Sequence, residues 1–158
     1  MTPFGAGRGG PRLVTVGVGT CAGVAADEVL ELVRRVLGTA RLAEGGAAAL
    51  ATVQARAEEP GLLTAARKLG LPLIAYDART LARVHVPHPS DFSRTAVGTP
   101  SVAEAAALLA SGGGGGSTVQ GGAPVLLVPK TRSRPATPGD PVRATAAVAA
   151  IAVPGREP

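Results

Sequence analysis

Three glycines between a predicted strand and a predicted helix form the stretch of this sequence best suited to chemistry. Gly17, Gly19 and Gly23 follow the apolar, β-branched residues 13–16, and a helical pattern opens at about residue 25. A glycine turn at this place brings backbone N–H groups to the positive end of a helix dipole, where an anion is stabilised. The stretch therefore predicts a site for a phosphate or a carboxylate. The alternative is that the glycines only make a tight turn and let the helix pack on the sheet.

The glycine spacing does not match the common nucleotide-binding motifs. A dinucleotide fingerprint requires Gly-x-Gly-x-x-Gly and an acidic residue at the end of the second strand. Here the third glycine is displaced by one residue, and Gln54 stands at the strand end. The Gly-Lys-Ser/Thr of a P-loop and the Gly-x-Ser-x-Gly of a serine hydrolase are both absent.

The cysteine and the two histidines are the other reactive side chains. Cys21 lies near a predicted helix N-terminus, a position that activates a thiol, but it also fits a small buried residue. His85 and His88 lie in a proline-rich loop, and no further Cys or His is available to complete a metal site. We therefore predict neither a metal nor a cofactor. A single cysteine excludes an internal disulfide and fits a reducing, cytoplasmic compartment.

The charge of the chain is unevenly distributed. The net charge is +5, and the excess lies in residues 1–12 and 112–158, since residues 13–111 carry equal numbers of basic and acidic side chains. Only 2% of the residues are aromatic, whereas a nucleic-acid binder usually combines a basic face with aromatics for stacking. No apolar run approaches the ~20 residues of a membrane span. Neither a nucleic acid nor a membrane is a predicted partner.

The elements that must position these residues alternate between strand and helix. Strands are predicted at residues 13–16, 47–53, 73–76 (buried), 125–128 and 144–153, and helices at 25–37, 60–69, 77–84 and 102–110. Gly38 and Gly70 are predicted as C-caps, and Asp77 as an N-cap. The last two strands pair as a hairpin across the Pro/Arg-rich loop 131–143.

This order predicts an α/β fold, a three-layer α/β/α sandwich with a mixed sheet of about five strands. The domain spans residues 13–153 and contains a Gly-rich loop at 112–122. Residues 1–12 are predicted to be a flexible N-terminal arm, and residues 154–158 a tail. Ligands of such sheets gather at the carboxyl ends of the parallel strands.

The start of the fourth predicted helix carries a second candidate anion site. Ser101 and Glu104 form a capping box, in which both residues serve to start the helix. Gly98 and Thr99 lie just before the helix N-terminus and are predicted to form a second turn that faces an anion.

Taken in chain order, these motifs resemble the CobE/CbiG C-terminal domain family of cobalamin biosynthesis. The matching pieces are Gly-Val-Gly-x-x-x-Gly at 17–23, Leu-Ala-Thr-Val at 50–53, Arg-Ala-Glu-Glu-Pro-Gly-Leu at 56–62, Ser-Val-Ala-Glu-Ala-Ala-Ala at 101–107 and Leu-Leu-x-x-Lys at 126–130. They cover roughly residues 13–153, and the length resembles the stand-alone form of the family. Thr20 and Cys21 depart from the family's Cys and basic residue in the first loop, and Arg56 replaces a lysine.

The resemblance implies a cobalamin biosynthesis protein that binds a carboxylate-rich precorrin or cobalt-precorrin as an accessory or chaperone-like factor. Other corrin-pathway enzymes are then its protein partners. The substrate-binding residues that it implies are Gly17, Gly19, Thr20, Cys21, Gly23, Arg56, Gly98, Ser101 and Lys130.

Two other functions stay open at this point. The family also implies cobalt-precorrin-5A hydrolase-type activity, in which a lactone is opened and acetaldehyde is released. Glu59 or Glu104 would then act as the general base for a water. The remaining hypothesis is that the chain is a structural or interaction module outside corrin synthesis.

Overall fold

The computed structural model describes residues 12–42, 46–84, 102–111, 124–135 and 137–152. In these residues the strands are β1 (Arg12–Thr20), β2 (Ala49–Val53), β3 (Leu73–Tyr76), β4 (Val125–Arg132) and β5 (Ala144–Ala152). The α-helices are α1 (Ala26–Thr39), α2 (Pro60–Leu69), α3 (Ala78–Ala82) and α4 (Val102–Ser111). The predicted arm before Arg12, the histidine loop, Gly98, Ser101, the Gly-rich loop and the tail lie outside the described residues.

The described strands form one mixed sheet, in the order β3-β2-β1-β5-β4. Strands β1, β2 and β3 are parallel to one another, and β5 runs antiparallel to both β1 and β4. Helices α1 and α2 pack on one face of the sheet, and α3 and α4 pack on the other. The predicted three-layer sandwich, its five-stranded mixed sheet and the closing hairpin of β4 and β5 are therefore confirmed.

Strand β1 is longer than the sequence suggested. We expected the glycines to break the strand after residue 16, but β1 continues through Gly17 and Gly19 to Thr20. Alternate strand residues face opposite sides: Val16 and its even-numbered apolar neighbours belong to the core under α1 and α2. Gly17 and Gly19 face α4 instead. The predicted glycine turn is wrong for these two residues, since only Cys21 to Gly23 turn away from the strand.

Gly17 is the point where a helix backbone rests on a strand backbone. A Cβ atom at this position would overlap the carbonyl oxygen of Ala103 and lie 2.6 Å from the amide nitrogen of Ala107, both in α4. Small side chains continue this contact, because Ala103 and Ala107 are fully buried against Ala147 and Ala149 of β5. The alanine-rich sequence of α4 therefore serves close packing against the sheet.

The predicted helix caps are confirmed at two of three positions. Gly70 ends α2 in the left-handed conformation, with φ 72°, and the Asp77 carboxylate accepts a hydrogen bond from Thr80 N at the start of α3. Gly38 is not a cap, because α1 continues to Thr39 and Arg41 takes the left-handed conformation, with φ 64°.

The two edge strands also differ from expectation. We predicted β3 as a buried strand, but it lies at the sheet edge and Ile74 is exposed. Strand β4 does not end before Pro129 but runs to Arg132. A proline is tolerated there because β4 is the other edge strand, and the register shifts on either side of Val128.

We predict opposite effects on stability for two Gly→Ala substitutions. Gly17→Ala forces α4 away from β1 and lowers the free energy of unfolding by about 1–3 kcal/mol, as overpacking does in other cores. Gly38→Ala is the control, since a Cβ there meets no atom within 4 Å. It raises stability by about 0.5–1 kcal/mol through the higher helix propensity of alanine. Urea unfolding measures both, and equal effects would contradict the close contact.

Candidate functional site

The ends of four strands and the start of α4 meet at one side of the sheet, which we call the carboxyl-terminal edge. Strands β1, β2 and β3 end there, and the β4–β5 connection joins them because Thr20 pairs with Ala144. Gly19 lies beside the first residue of α4, since a Cβ at Gly19 would be 3.3 Å from Val102 Cβ. This is the edge at which α/β sheets bind ligands.

The loop after β1 is held by a glutamate from the next loop. Gly23 adopts φ 81°, and its N–H donates to Glu59 Oε1 at 2.8 Å. A Cβ at Gly61 would overlap the carbonyl oxygen of Val24, so the start of α2 also lies against this loop. The sequence suggested that the Gly23 amide faces a ligand, but the Glu59 carboxylate already occupies it.

The same loop is held from the other side by Arg143, just before β5. Cys21 N donates to Arg143 O at 2.9 Å, and Arg143 Nη1 lies 3.5 Å from Ala22 O. Cys21 itself is a half-buried free thiol. The backbone of this loop is therefore fixed by two elements that are distant in the sequence.

Glu28 of α1 connects this corner to the β4–β5 connection. Its Oε2 accepts from the Ser133 hydroxyl and from Arg143 N at 3.2 Å. Ser133 N in turn donates to Ala144 O at 2.9 Å. The carboxylate in the first turn of α1 thus bonds to both sides of the connection, in addition to its favourable place near the helix N-terminus.

Glu104 lies inside the protein. Its side chain is fully buried, and Oε2 accepts from Lys130 N at 2.8 Å, which ties α4 to β4. Its predicted capping partner Ser101 lies outside the described residues. Glu59 and Glu104, the two predicted general bases, therefore both accept hydrogen bonds from backbone amides of other elements.

Arg56 and Lys130 lie on opposite sides of the β1 loop. Arg56 is half-buried in a short 3₁₀ turn after β2, and Lys130 is half-buried on β4. Three strand spacings separate β2 from β4, or about 14 Å. Among the described residues, three side-chain atoms are buried without a hydrogen-bond partner, and two of them, Arg56 Nε and Thr20 Oγ1, belong to this edge. The structure therefore spreads the predicted polar residues along the edge instead of gathering them in one pocket.

Two side chains at the end of β3 have shifted pKa values. Hydrogen bonds from Thr80 hold the pKa of the Asp77 carboxyl below its usual range. Burial raises the pKa of the Tyr76 hydroxyl. Asp77 therefore stays ionised as the cap of α3.

Several residues of this edge were missing from the predicted site. Glu28 lies at the start of α1, and the pairing of β4 with β5 brings Ser133 and Arg143 next to it. The basic residues of this connection and the predicted pairing of its flanking strands were the available signals. Arg132, Arg134 and Arg143 are all exposed, so the edge carries more positive charge than Arg56 and Lys130 alone.

Within the ranges that the structure describes, no helix is long and apolar enough to cross a membrane. The same ranges contain no group of three or more His, Cys, Asp or Glu residues placed to hold a metal ion.

A comparison with protein families identifies the family to which this chain belongs. The family model described as "Cobalamin synthesis G C-terminus" matches residues 14–149. The chain belongs to this family.

Solved and curated relatives agree with membership in the cobalamin synthesis G C-terminus family. The crystal structure of CobE, a protein from the cobalamin (vitamin B12) biosynthetic pathway, superimposes with a TM-score of 0.74 at 28% identity, over 94% of this chain and 98% of that one. Protein CobE of a Sinorhizobium species is 37% identical over 102 residues, 63% of this chain and 66% of the relative. The cobalt-precorrin-5A hydrolase of Priestia megaterium is 29% identical over 97 residues, 61% of this chain but 26% of the hydrolase.

This family membership makes the chain a cobalamin biosynthesis protein of the CobE and CbiG C-terminal type. The chain spans just under two thirds of the CobE relative and about a quarter of the hydrolase.

We predict that Glu59 stabilises the β1 loop. Glu59→Ala removes the acceptor of Gly23 N–H, lowers the free energy of unfolding by about 1 kcal/mol, and speeds hydrogen exchange at the Gly23 amide. The adjacent Glu58→Ala is the control, because Glu58 is exposed, and its effect stays within about 0.5 kcal/mol. Exchange at Gly23 that is equal in both variants would show that the Glu59 bond does not hold the loop.

Proposed function

We propose that this chain binds a carboxylate-rich tetrapyrrole, a precorrin or cobalt-precorrin, at its carboxyl-terminal edge and acts as an accessory or chaperone-like factor of corrin synthesis. The observation that carries the proposal is the contrast between the acidic and the basic side chains of this edge. Glu28, Glu59 and Glu104 accept hydrogen bonds from the protein itself, whereas Arg132, Arg134 and Arg143 are exposed beside the exposed carboxylates Glu58, Asp77 and Asp140. The exposed arginines give a carboxylate-rich ligand several points of attachment.

The spacing of the cationic residues supports a large ligand. Arg56 lies beyond β2, whereas Arg132 at the end of β4 and Arg134 just after it lie on the other side of the β1 loop. At about 14 Å between β2 and β4, one small anion does not reach both groups. A macrocycle with acetate and propionate side chains around its rim presents carboxylates on several sides at once, and so fits this arrangement.

The same hydrogen bonds favour binding over lactone hydrolysis. A general base must come within hydrogen-bond reach of the proton that it removes. Glu104 is fully buried, and Glu59 is engaged with Gly23 N. A binding role also suits a protein that passes its ligand to other corrin-pathway enzymes, which are the partners we propose.

We predict saturable binding of a corrinoid with free side-chain carboxylates, followed through its absorption band at micromolar protein. The methyl ester of the same corrinoid binds far more weakly, because it lacks the charges that the arginines recognise. Arg56→Gln lowers the affinity about tenfold, equivalent to roughly 1.4 kcal/mol. Arg67→Gln, at the opposite end of α2, leaves the affinity unchanged.

Two results would overturn this proposal. One is the absence of any saturable spectral change with the free acid. The other is release of acetaldehyde from the lactone intermediate by the purified protein at a rate above the uncatalysed one, which would assign it the hydrolase-type activity instead.

A further inference from the structure

We propose that Arg143 is a carboxylate-binding residue of the carboxyl-terminal edge, and that Glu28 is the positioning residue that holds it there. This inference rests on the proposed function, because it names further residues of the same ligand site. It comes from three contacts that converge on one exposed arginine, and from a glutamate whose charge has the wrong sign for an anion site.

The backbone of Arg143 is held at both its N–H group and its carbonyl oxygen. Its N–H donates to Glu28 Oε2 at 3.2 Å, and its carbonyl oxygen accepts from Cys21 N at 2.9 Å. The residue therefore has a set position relative to both α1 and the β1 loop. A side chain that leaves a fixed backbone loses less conformational freedom when it binds a ligand than one on a free loop.

The guanidinium of Arg143 lies over the β1 loop. One nitrogen, Nη1, is 3.5 Å from Ala22 O, a long contact, and the side chain is exposed. An arginine has five N–H donors in a planar fork, which matches the two oxygens of a carboxylate. The loop contact orients the fork at the centre of the edge, between Arg56 and the rest of the β4–β5 connection.

Glu28 gives the proposal its sharpest test, because electrostatics and positioning predict opposite results. If Glu28 acted only through its charge, its removal would strengthen the binding of a polyanion. If Glu28 holds Arg143 and Ser133 in place, its removal weakens binding even though the edge becomes more positive. Glu31, one turn along α1, is the matched control, because its carboxylate pairs with Arg35 at 3.1 Å.

The first experiment measures the affinity for the free-acid corrinoid by absorption titration. Arg143→Gln is expected to lose about tenfold in affinity, and Arg143→Lys to lose part of that, because lysine keeps the charge but not the fork. Arg67→Gln, at the end of α2 away from this edge, is expected to leave it unchanged. Glu28→Gln weakens binding severalfold, whereas Glu31→Gln leaves it unchanged or slightly tighter.

The second experiment measures hydrogen exchange at the Cys21 and Arg143 amides without ligand. In Glu28→Gln both amides exchange faster than in the parent, and in Glu31→Gln neither does. Parental affinity for Arg143→Gln, tighter binding by Glu28→Gln, or unchanged exchange at both amides would each overturn this inference. If the parent binds no corrinoid, the proposed function fails and the role of Arg143 fails with it, whereas faster exchange in Glu28→Gln would still support the positioning role of Glu28.

Discussion

Helix α4 lies directly on strand β1, and the positions of the other elements around the site depend on this close approach. Gly17 leaves room for the backbone of α4, and alanines on α4 and β5 keep the two layers close along the helix. The first residue of α4 is thereby placed beside Gly19. Because a helix cannot shift on a surface packed this tightly without opening voids, the first turn of α4 is held at the carboxyl-terminal edge.

Carboxylates act as ties between elements throughout this edge. Glu59 joins the β2–α2 loop to the β1 loop, Glu28 joins α1 to the β4–β5 connection, and Glu104 joins α4 to β4. These hydrogen bonds each link elements that are far apart in the sequence. They hold the loops in a domain whose core is aliphatic and contains almost no aromatic residues. Because these carboxylates already accept hydrogen bonds from the protein, the exposed arginines are the groups on which the proposed ligand site rests.

Family membership establishes the pathway and the fold, whereas the proposed ligand rests on the side chains of the edge. Membership in the cobalamin synthesis G C-terminus family places the chain in cobalamin biosynthesis and accounts for its fold. The similarity to the hydrolase covers 26% of that enzyme, so it relates this chain to one part of a longer protein. Function sits in particular side chains more than in a fold, so the proposed binding of a polyanion rests on the arginines of the edge and not on the family membership.

The sequence by itself determined the local elements, the fold class and the family. Helix α2, its Gly70 cap and the Asp77 cap of α3 follow from apolar spacing and capping residues, which act over a few positions. The pairing of β4 with β5 follows from two apolar runs around a polar loop.

Only the tertiary structure decided the roles of four residues: Gly17, Glu28, Glu59 and Glu104. Gly17 continues strand β1 through its pairing with Ala51 and Ala147, and its missing side chain makes room for α4, which lies far along the chain. The partners of the glutamates lie 26 to 115 residues away, beyond the reach of any local pattern.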